Sequence, residues 1–311
     1  FPDNAESLEH ARRRMKFDEL FVLQLRAEMM RRSLALAVAP KIPFREQEIK
    51  DFVNMLPYRL TKAQKVAAWE ILKDLEKQEP MNRLLEGDVG SGKTVVAALV
   101  AYNTALAGYQ VAVMAPTEVL AKQHFSSFVN LLPERSILLI TGSEIGNWKL
   151  EIGEHTKAGR RKEIIKKIWE GEADIVVGTH ALLTEDVAFK NLGLVIVDEQ
   201  HRFGVEQRKH IRAHSGHEKI TPHFLSMTAT PIPRSLGLAL YGDLDISILN
   251  EMPAGRKPVK TRVVEPKNRE KAYGFIREQV KRGRQGFVVC PLIDDATNEK
   301  KSVLSEYEKL S

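Results

Sequence analysis

Two short stretches carry residue types at a spacing suited to chemistry on phosphates. The first is Gly87-Asp88-Val89-Gly90-Ser91-Gly92-Lys93-Thr94, which matches the P-loop pattern. Phosphate oxygens need many donors at close range. Glycines let backbone N–H groups approach them, and a helix opening at this point presents its positive end. Gly87, Gly90, Ser91 and Gly92 would form the cradle, Lys93 would reach the β- and γ-phosphates, and the Thr94 hydroxyl would ligate Mg²⁺. The second is Val195-Ile196-Val197-Asp198-Glu199-Gln200-His201, where an apolar run delivers two adjacent carboxylates. Asp198 is placed to hold Mg²⁺ through water, and Glu199 to orient or deprotonate an attacking water. Adjacent acids at a strand end are common surface features; downstream of a P-loop they complete a nucleotide site, with ATP and Mg²⁺ as the expected cofactors.

Thr61 and Gln64 can be read in two compatible ways. Thr-x-x-Gln is a helix capping box, and a helical run from Ala63 to Lys77 follows it. The same pair has the form of an adenine-reading motif upstream of a P-loop, which would make Gln64 a nucleotide contact.

These residues need a scaffold, and from about residue 60 the sequence supplies one: short β-branched runs alternate with stretches of helical length and spacing. Candidate strands are 83–86, 110–114, 136–140, 174–178, 193–197, 223–227 and 287–293; helices fall at 93–107 and 117–132, with Gly108 where a helix stop belongs. Runs such as Leu194-Val195-Ile196-Val197 are apolar throughout, as strands covered on both faces of a parallel sheet require. The expected fold is a doubly wound α/β sheet sandwiched by helices, with its chemistry at the carboxyl ends of the strands. The first forty residues read as helix: Asp3 and Glu6 have capping-box spacing, Leu8, Ala11 and Met15 then Phe17, Leu20, Phe21, Leu25 and Met29 form stripes, and Pro40 and Pro43 end the region. The expected division is a helical linker over 1–55, a nucleotide-binding lobe over 56–254, and the start of a second α/β lobe over 255–311.

Bulk properties narrow the class. Hydrophobic residues at 43% and charged residues at 28% describe a globular protein, and no apolar run approaches the roughly 18–20 residues needed to cross a bilayer. Cys290 is the only cysteine, which fits a reducing cytoplasm. The chain carries a net charge of +6, but residues 256–284 alone hold eleven lysines and arginines against three glutamates. That stretch would attract a polyanion, or it is a solvated helix face. Arg161, Lys162, Lys166 and Lys167 are read first as a solvated helix face, and segment 141–160 fits no motif.

Further motifs add a family resemblance. Ala115-Pro116-Thr117, Gly178-Thr179-His180-Ala181-Leu182, Asp198-Glu199-Gln200-His201 and Met227-Thr228-Ala229-Thr230-Pro231 follow the P-loop in the order of superfamily 2 helicase motifs. The longer phrases Met81-Asn82-Arg83-Leu84-Leu85, Arg202-Phe203-Gly204-Val205-Glu206-Gln207-Arg208, Thr230-Pro231-Ile232-Pro233-Arg234, Leu240-Tyr241-Gly242-Asp243-Leu244-Asp245 and Gly255-Arg256-Lys257-Pro258 resemble the RecG family of bacterial branched-DNA helicases over nearly the whole chain. The resemblance implies a RecA-like P-loop NTPase lobe followed by part of a second one. It implies ATP-driven movement on branched double-stranded DNA in repair and recombination, a monomeric state and a cytoplasmic, nucleoid-associated location, with single-stranded-DNA-binding protein a candidate partner. Thr117, Thr179 and His180 would then face the DNA backbone, and Thr228 and Thr230 would couple nucleotide to DNA with His201 as their partner across the cleft. Thr117 could equally cap the helix at 117–132, and His201 could be a satisfied polar residue.

Departures from the family matter as well. No amino-terminal wedge domain stands in this sequence. Phe287-Val288-Val289-Cys290-Pro291 looks like motif IV, but no arginine matches the phosphate-stabilising one of motif VI, so the polypeptide is expected to bind Mg-nucleotide and hydrolyse it poorly. Gln200 stands where the translocases of transcription-coupled repair usually carry a second glutamate, and a primosome-restart helicase matches less well beyond the P-loop. A nucleotide-binding module without catalysis of its own is a further alternative. A P-loop metabolic kinase or GTPase is disfavoured, because no Asn-Lys-x-Asp is present and the motifs near 117, 179 and 228 would go unused.

Overall fold

Residues 192–198 explain the sheet. Along Leu194–Val197 successive side chains point to opposite faces: Leu194 and Ile196 enter one apolar cluster, Val195 and Val197 the other. Such an unbroken apolar run needs cover on both sides, and the neighbouring Gln110–Met114 strand splits the same way, with Val111 and Val113 on one face and Ala112 and Met114 on the other. The computed structural model describes residues 4–35, 37–142, 145–147, 157–184, 186–199, 220–229, 244–253, 259–290 and 303–310. It divides into two units, Phe1–Arg256 and Lys257–Ser311.

In the first unit, three helices, α1 (Ala5–Ala35), α2 (Glu46–Met55) and α3 (Lys62–Leu75), precede β1 (Asn82–Gly87). Then follow α4 (Lys93–Leu106), β2 (Gln110–Met114), α5 (Glu118–Leu131), β3 (Ile137–Ile140), β4 (Ile145–Asn147), α6 (Lys157–Glu170), β5 (Ile175–Gly178), a 3-10 turn His180–Leu183, β6 (Leu192–Asp198), β7 (His223–Thr228) and β8 (Asp245–Leu249). The sheet order is β4-β3-β5-β2-β6-β7-β1-β8. Every pairing is parallel except the short antiparallel one of β3 with β4. Helices α2 to α5 cover one face, where Ile71, Leu75, Leu99 and Phe128 are buried, and Ile164 and Ile168 of α6 cover the other. Gly108 ends the α4 connection at φ 83, a backbone region glycine enters without a Cβ clash.

The predicted strands from 83–86 to 223–227 are present with ends shifted by a residue or so. The predicted strand at 287–293 is not: Phe287 to Cys290 carry no strand, and 291–293 lie outside the described residues. Phe287 is 88% and Val289 91% exposed, so among the described residues this β-branched run has no packed surface to form against. Two strands went unforeseen, β8 and, within the segment 141–160 that fits no motif, β4. The two amino-terminal stripes form a single helix, α1. Asn4 and Ser7 cap it reciprocally, with Asn4 Oδ1 accepting from Ser7 N–H at 2.8 Å, and Asp3 lies outside the described residues. Phe17 and Phe21 stack on one another yet stay more than half exposed. The proline segment after α1 is stapled to the lobe, as Ala39 N–H donates to Gln78 O and Ile42 N–H to Leu75 O.

In the second unit the described residues hold a 3-10 turn Pro266–Asn268, α7 (Arg269–Lys281) and α8 (Val303–Leu310), with Arg269 and Tyr273 bonded to Glu306.

Candidate active site

Parallel pairing brings the carboxyl ends of β1, β7 and β6 to one edge of the sheet. Asp198 lies opposite Met227, and Thr228 opposite Glu86, so the ends of these strands form a continuous rim. The P-loop starts where β1 stops. Gly92 caps α4 at φ 89, and a Cβ there would lie 2.2 Å from Gln64 Nε2, so both conformation and space demand glycine. A Cβ on Gly87 would meet Ser91 Oγ at 2.5 Å.

Lys93 leads α4 and donates through Nζ to Gly87 O at 2.6 Å and Asp88 O at 3.2 Å. Burial pushes its ammonium below the usual lysine range, and the charges of Asp198, Glu199 and Asp88 oppose that shift. Lys93 therefore lies within electrostatic reach of both predicted acids. Ser91 Oγ is fully buried with no hydrogen-bond partner among the described residues, an unmet polar group inside the loop. Thr94 follows half-buried in the first turn of α4. These features fit a Mg-nucleotide: a cation that donates to two main-chain carbonyls, a buried hydroxyl in a glycine cradle, a threonine hydroxyl, and carboxylates nearby.

Gln64 has the capping-box geometry. Its Oε1 accepts from Thr61 N–H at 2.8 Å, and Thr61 Oγ1 accepts from Gln64 N–H at 3.2 Å. The same buried amide donates through Nε2 to Ser91 O at 2.7 Å, bracing α3 against the P-loop. That brace was not foreseen.

Asp198 ends β6, and its Oδ2 meets Nε2 of His124 on α5 at 2.7 Å. Glu199 follows at φ 54, a left-handed conformation uncommon for a residue with a Cβ and typical of functional positions. Two bonds hold it there: its N–H donates to Met227 O at 3.0 Å, and its Oε1 accepts from Ala229 N–H at 3.2 Å. The water-positioning candidate is thus tied to the end of β7, where Thr228 is buried. His201 and Thr230 lie outside the described residues.

The three residues expected at DNA sit on the ends of other strands. Thr117 caps α5, its Oγ1 accepting from Leu120 N–H at 3.3 Å, and is exposed. Capping and a role at DNA do not exclude each other. Thr179 leads the 3-10 turn after β5, its N–H donating to Ile140 O, and His180 is exposed beside it. Of the basic cluster on α6, Arg161 pairs with Asp186 at 3.1 Å, and Lys166 and Lys167 pair with Glu170 and Glu163 one turn away, as a solvated helix face would make.

His124 was missed by the sequence reading. It occupies the buried face of α5 with Ala121, Phe128 and Val129, so an ionisable residue at a core-facing helical position was the available signal.

The DEAD/DEAH box helicase model matches residues 61–237, a span containing Gln64, the P-loop, Asp198, Glu199 and Thr228. The chain belongs to the DEAD/DEAH box helicase family. Within this helicase family it is similar over its full length to ATP-dependent DNA helicases RecG of Synechocystis, 44% identical, Thermotoga maritima, 45%, and Bacillus subtilis, 42%. It spans 36%, 38% and 44% of those relatives. A solved structure of RecG bound to a three-way DNA junction is 41% identical, with a TM-score of 0.80 over all of this chain and 39% of that one. The helicase MrfA bound to DNA shares the fold, at 18% identity and a TM-score of 0.54. The lobe is the RecA-like P-loop NTPase fold expected from the sequence. No helix among the described residues is long and apolar enough to cross a membrane.

Proposed function

We propose that this chain is the ATP-hydrolysing part of a motor that moves on branched double-stranded DNA, as in replication-fork and junction remodelling. The observation that carries this reading is that the P-loop after β1 and the acids at the end of β6 open on one edge of a parallel sheet, where the charges of Asp198 and Glu199 act on the Lys93 ammonium. Lys93 would exchange its two carbonyl partners for the β- and γ-phosphates, and Ser91 and the P-loop amides would close on the same oxygens. Thr94 and Asp198 would hold Mg²⁺, which neutralises charge on the transferring phosphoryl group. Glu199 would orient the attacking water. Its bond to Ala229 N–H offers a route by which the state of that water reaches Thr228 and Thr230. His201 would act with them.

Gln64 would sense adenine while bracing Ser91. Thr117, Thr179 and His180 would bind DNA phosphates, which position a motor without reading sequence. The likeness to a RecG solved on a three-way junction supports branched DNA as the track. The basic stretch 256–284 would add electrostatic attraction to it. Mg-ATP binding and turnover, with a Lys93→Ala control, test the reading. Unchanged binding and turnover in that variant would end it.

A further inference from the structure

His124 has no place in the mechanism above, yet it touches the residue assigned to the metal. It is the polar member of an otherwise apolar helix face, and burying an imidazole there is costly unless it is paired. Its partner is Asp198, at 2.7 Å through Nε2. A carboxylate oxygen only accepts, so Nε2 carries the proton and donates it. One oxygen of Asp198 is thereby fixed in direction, and the carboxylate plane with it.

The neighbourhood gives this bond a task. The Asp198 charge reaches the Lys93 ammonium, so a freely turning carboxylate would be drawn toward it. Lys93 nevertheless donates to Gly87 O and Asp88 O. A clamp that holds Asp198 away from Lys93 leaves the ammonium available to phosphate and the carboxylate available to a cation. Carboxylates that ligate metals are commonly oriented by such outer hydrogen bonds, and removing one costs about 10–100-fold in metal affinity.

We propose that His124 is a positioning residue whose Nε2–H holds the Asp198 carboxylate in the orientation that receives Mg²⁺ beside the P-loop. The proposal rests on the nucleotide-site reading above. It assigns α5 a part in metal binding in addition to any contact that Thr117 makes at its start.

The test is a Mg²⁺ titration of this chain with a fluorescent non-hydrolysable ATP analogue, for the unaltered protein, His124→Ala and His124→Gln. Nucleotide affinity in EDTA is measured alongside. Glutamine places an N–H near the position of Nε2, so it restores the clamp without the ring. The expected result is a half-saturating Mg²⁺ concentration raised about tenfold in His124→Ala and largely restored in His124→Gln, with EDTA affinity alike in all three. An unchanged Mg²⁺ requirement in His124→Ala overturns the proposal and leaves the nucleotide site standing. Equal losses with and without Mg²⁺, unrepaired by glutamine, overturn it by showing a purely structural histidine. An unaltered chain that binds the analogue with no response to Mg²⁺ removes the nucleotide-site reading itself, and this proposal with it.

Discussion

Acidification should destabilise the lobe through one buried ring, His223. The ring is fully buried at the start of β7. Its Nδ1 accepts from Met81 N–H at 3.0 Å, and its Nε2–H donates to Pro40 O at 2.7 Å. It thus ties the proline segment to the sheet beside the start of β1. A second proton would deprive Met81 of its acceptor and place a charge in the core. Burial accordingly pushes the His223 pKa down from 6.5 to about 4, with the Pro40 carbonyl and Asp74 partly opposing. Above the unfolded value both states are neutral and stability is complete. As pH falls below about 6.5 the unfolded chain takes up a proton that the folded chain refuses. Stability should then drop by about 1.4 kcal/mol per pH unit until the folded ring protonates near pH 4, about 3 kcal/mol in all. Urea unfolding at pH 7, 6, 5 and 4.5 measures this. His223→Gln supplies the control, because it keeps a donor for Pro40 and cannot titrate, while every other histidine and carboxylate is common to both proteins. The variant should be less stable at pH 7 but have a flatter profile across the window. Parallel profiles for the two proteins would refute the reasoning.

Two more substitutions probe separate parts of the account. Glu199→Gln keeps an Oε1 acceptor for Ala229 N–H, so fold and Mg-nucleotide affinity should persist while turnover falls by about 10²-fold or more; steady-state hydrolysis beside nucleotide binding checks it, and undiminished turnover would remove Glu199 from the chemistry. Asn103 is fully buried in α4, where its Oδ1 accepts from Arg45 N–H at 2.9 Å and its Nδ2 donates to Pro43 O at 3.2 Å. Asn103→Ala leaves both backbone groups without partners and should cost about 2–4 kcal/mol in urea unfolding; a change under about 0.5 kcal/mol would mean water replaces the amide without loss.

What the sequence reveals depends on how local the physical demand is. The P-loop is legible because glycines at 87 and 92 answer short-range needs, a φ of 89 at Gly92 and close packing against Ser91 at Gly87. The strand before Asp198 is legible because burial on two faces forces an unbroken apolar run. β8 hides because, among the described strands, it lies at the sheet edge and pairs with β1 alone, and with Asp245 and Ile248 exposed no simple alternation results. Phe287–Cys290 errs the other way, as its β-branched residues have no neighbouring strand among the described residues and form none. The amino-terminal stripes signal a helix truly enough, but their packing partner cannot be read from spacing, and in α1 Phe17, Leu20 and Phe21 stay exposed.

The site divides along the same line. Lys93, Thr94, Asp198 and Glu199 are candidates because neighbours in sequence make their motifs, and Gln64 is a candidate through Thr61. Contacts with distant neighbours are not legible in this way: His124 meets Asp198 across 74 positions, and Gln64 braces Ser91 across 27. Both contacts follow from the order of strands in the sheet, which periodicity does not encode.

The central claim is that Lys93, Asp198 and Glu199 form one Mg-nucleotide site. Its most direct test is equilibrium binding of Mg-ATP analogue to this chain and to Lys93→Ala, with adenine and guanine nucleotides compared. Losing one ammonium against two phosphates should weaken binding about ten- to hundredfold while leaving thermal stability nearly unchanged, and adenine should be preferred. Equal affinity in the two proteins would contradict the account.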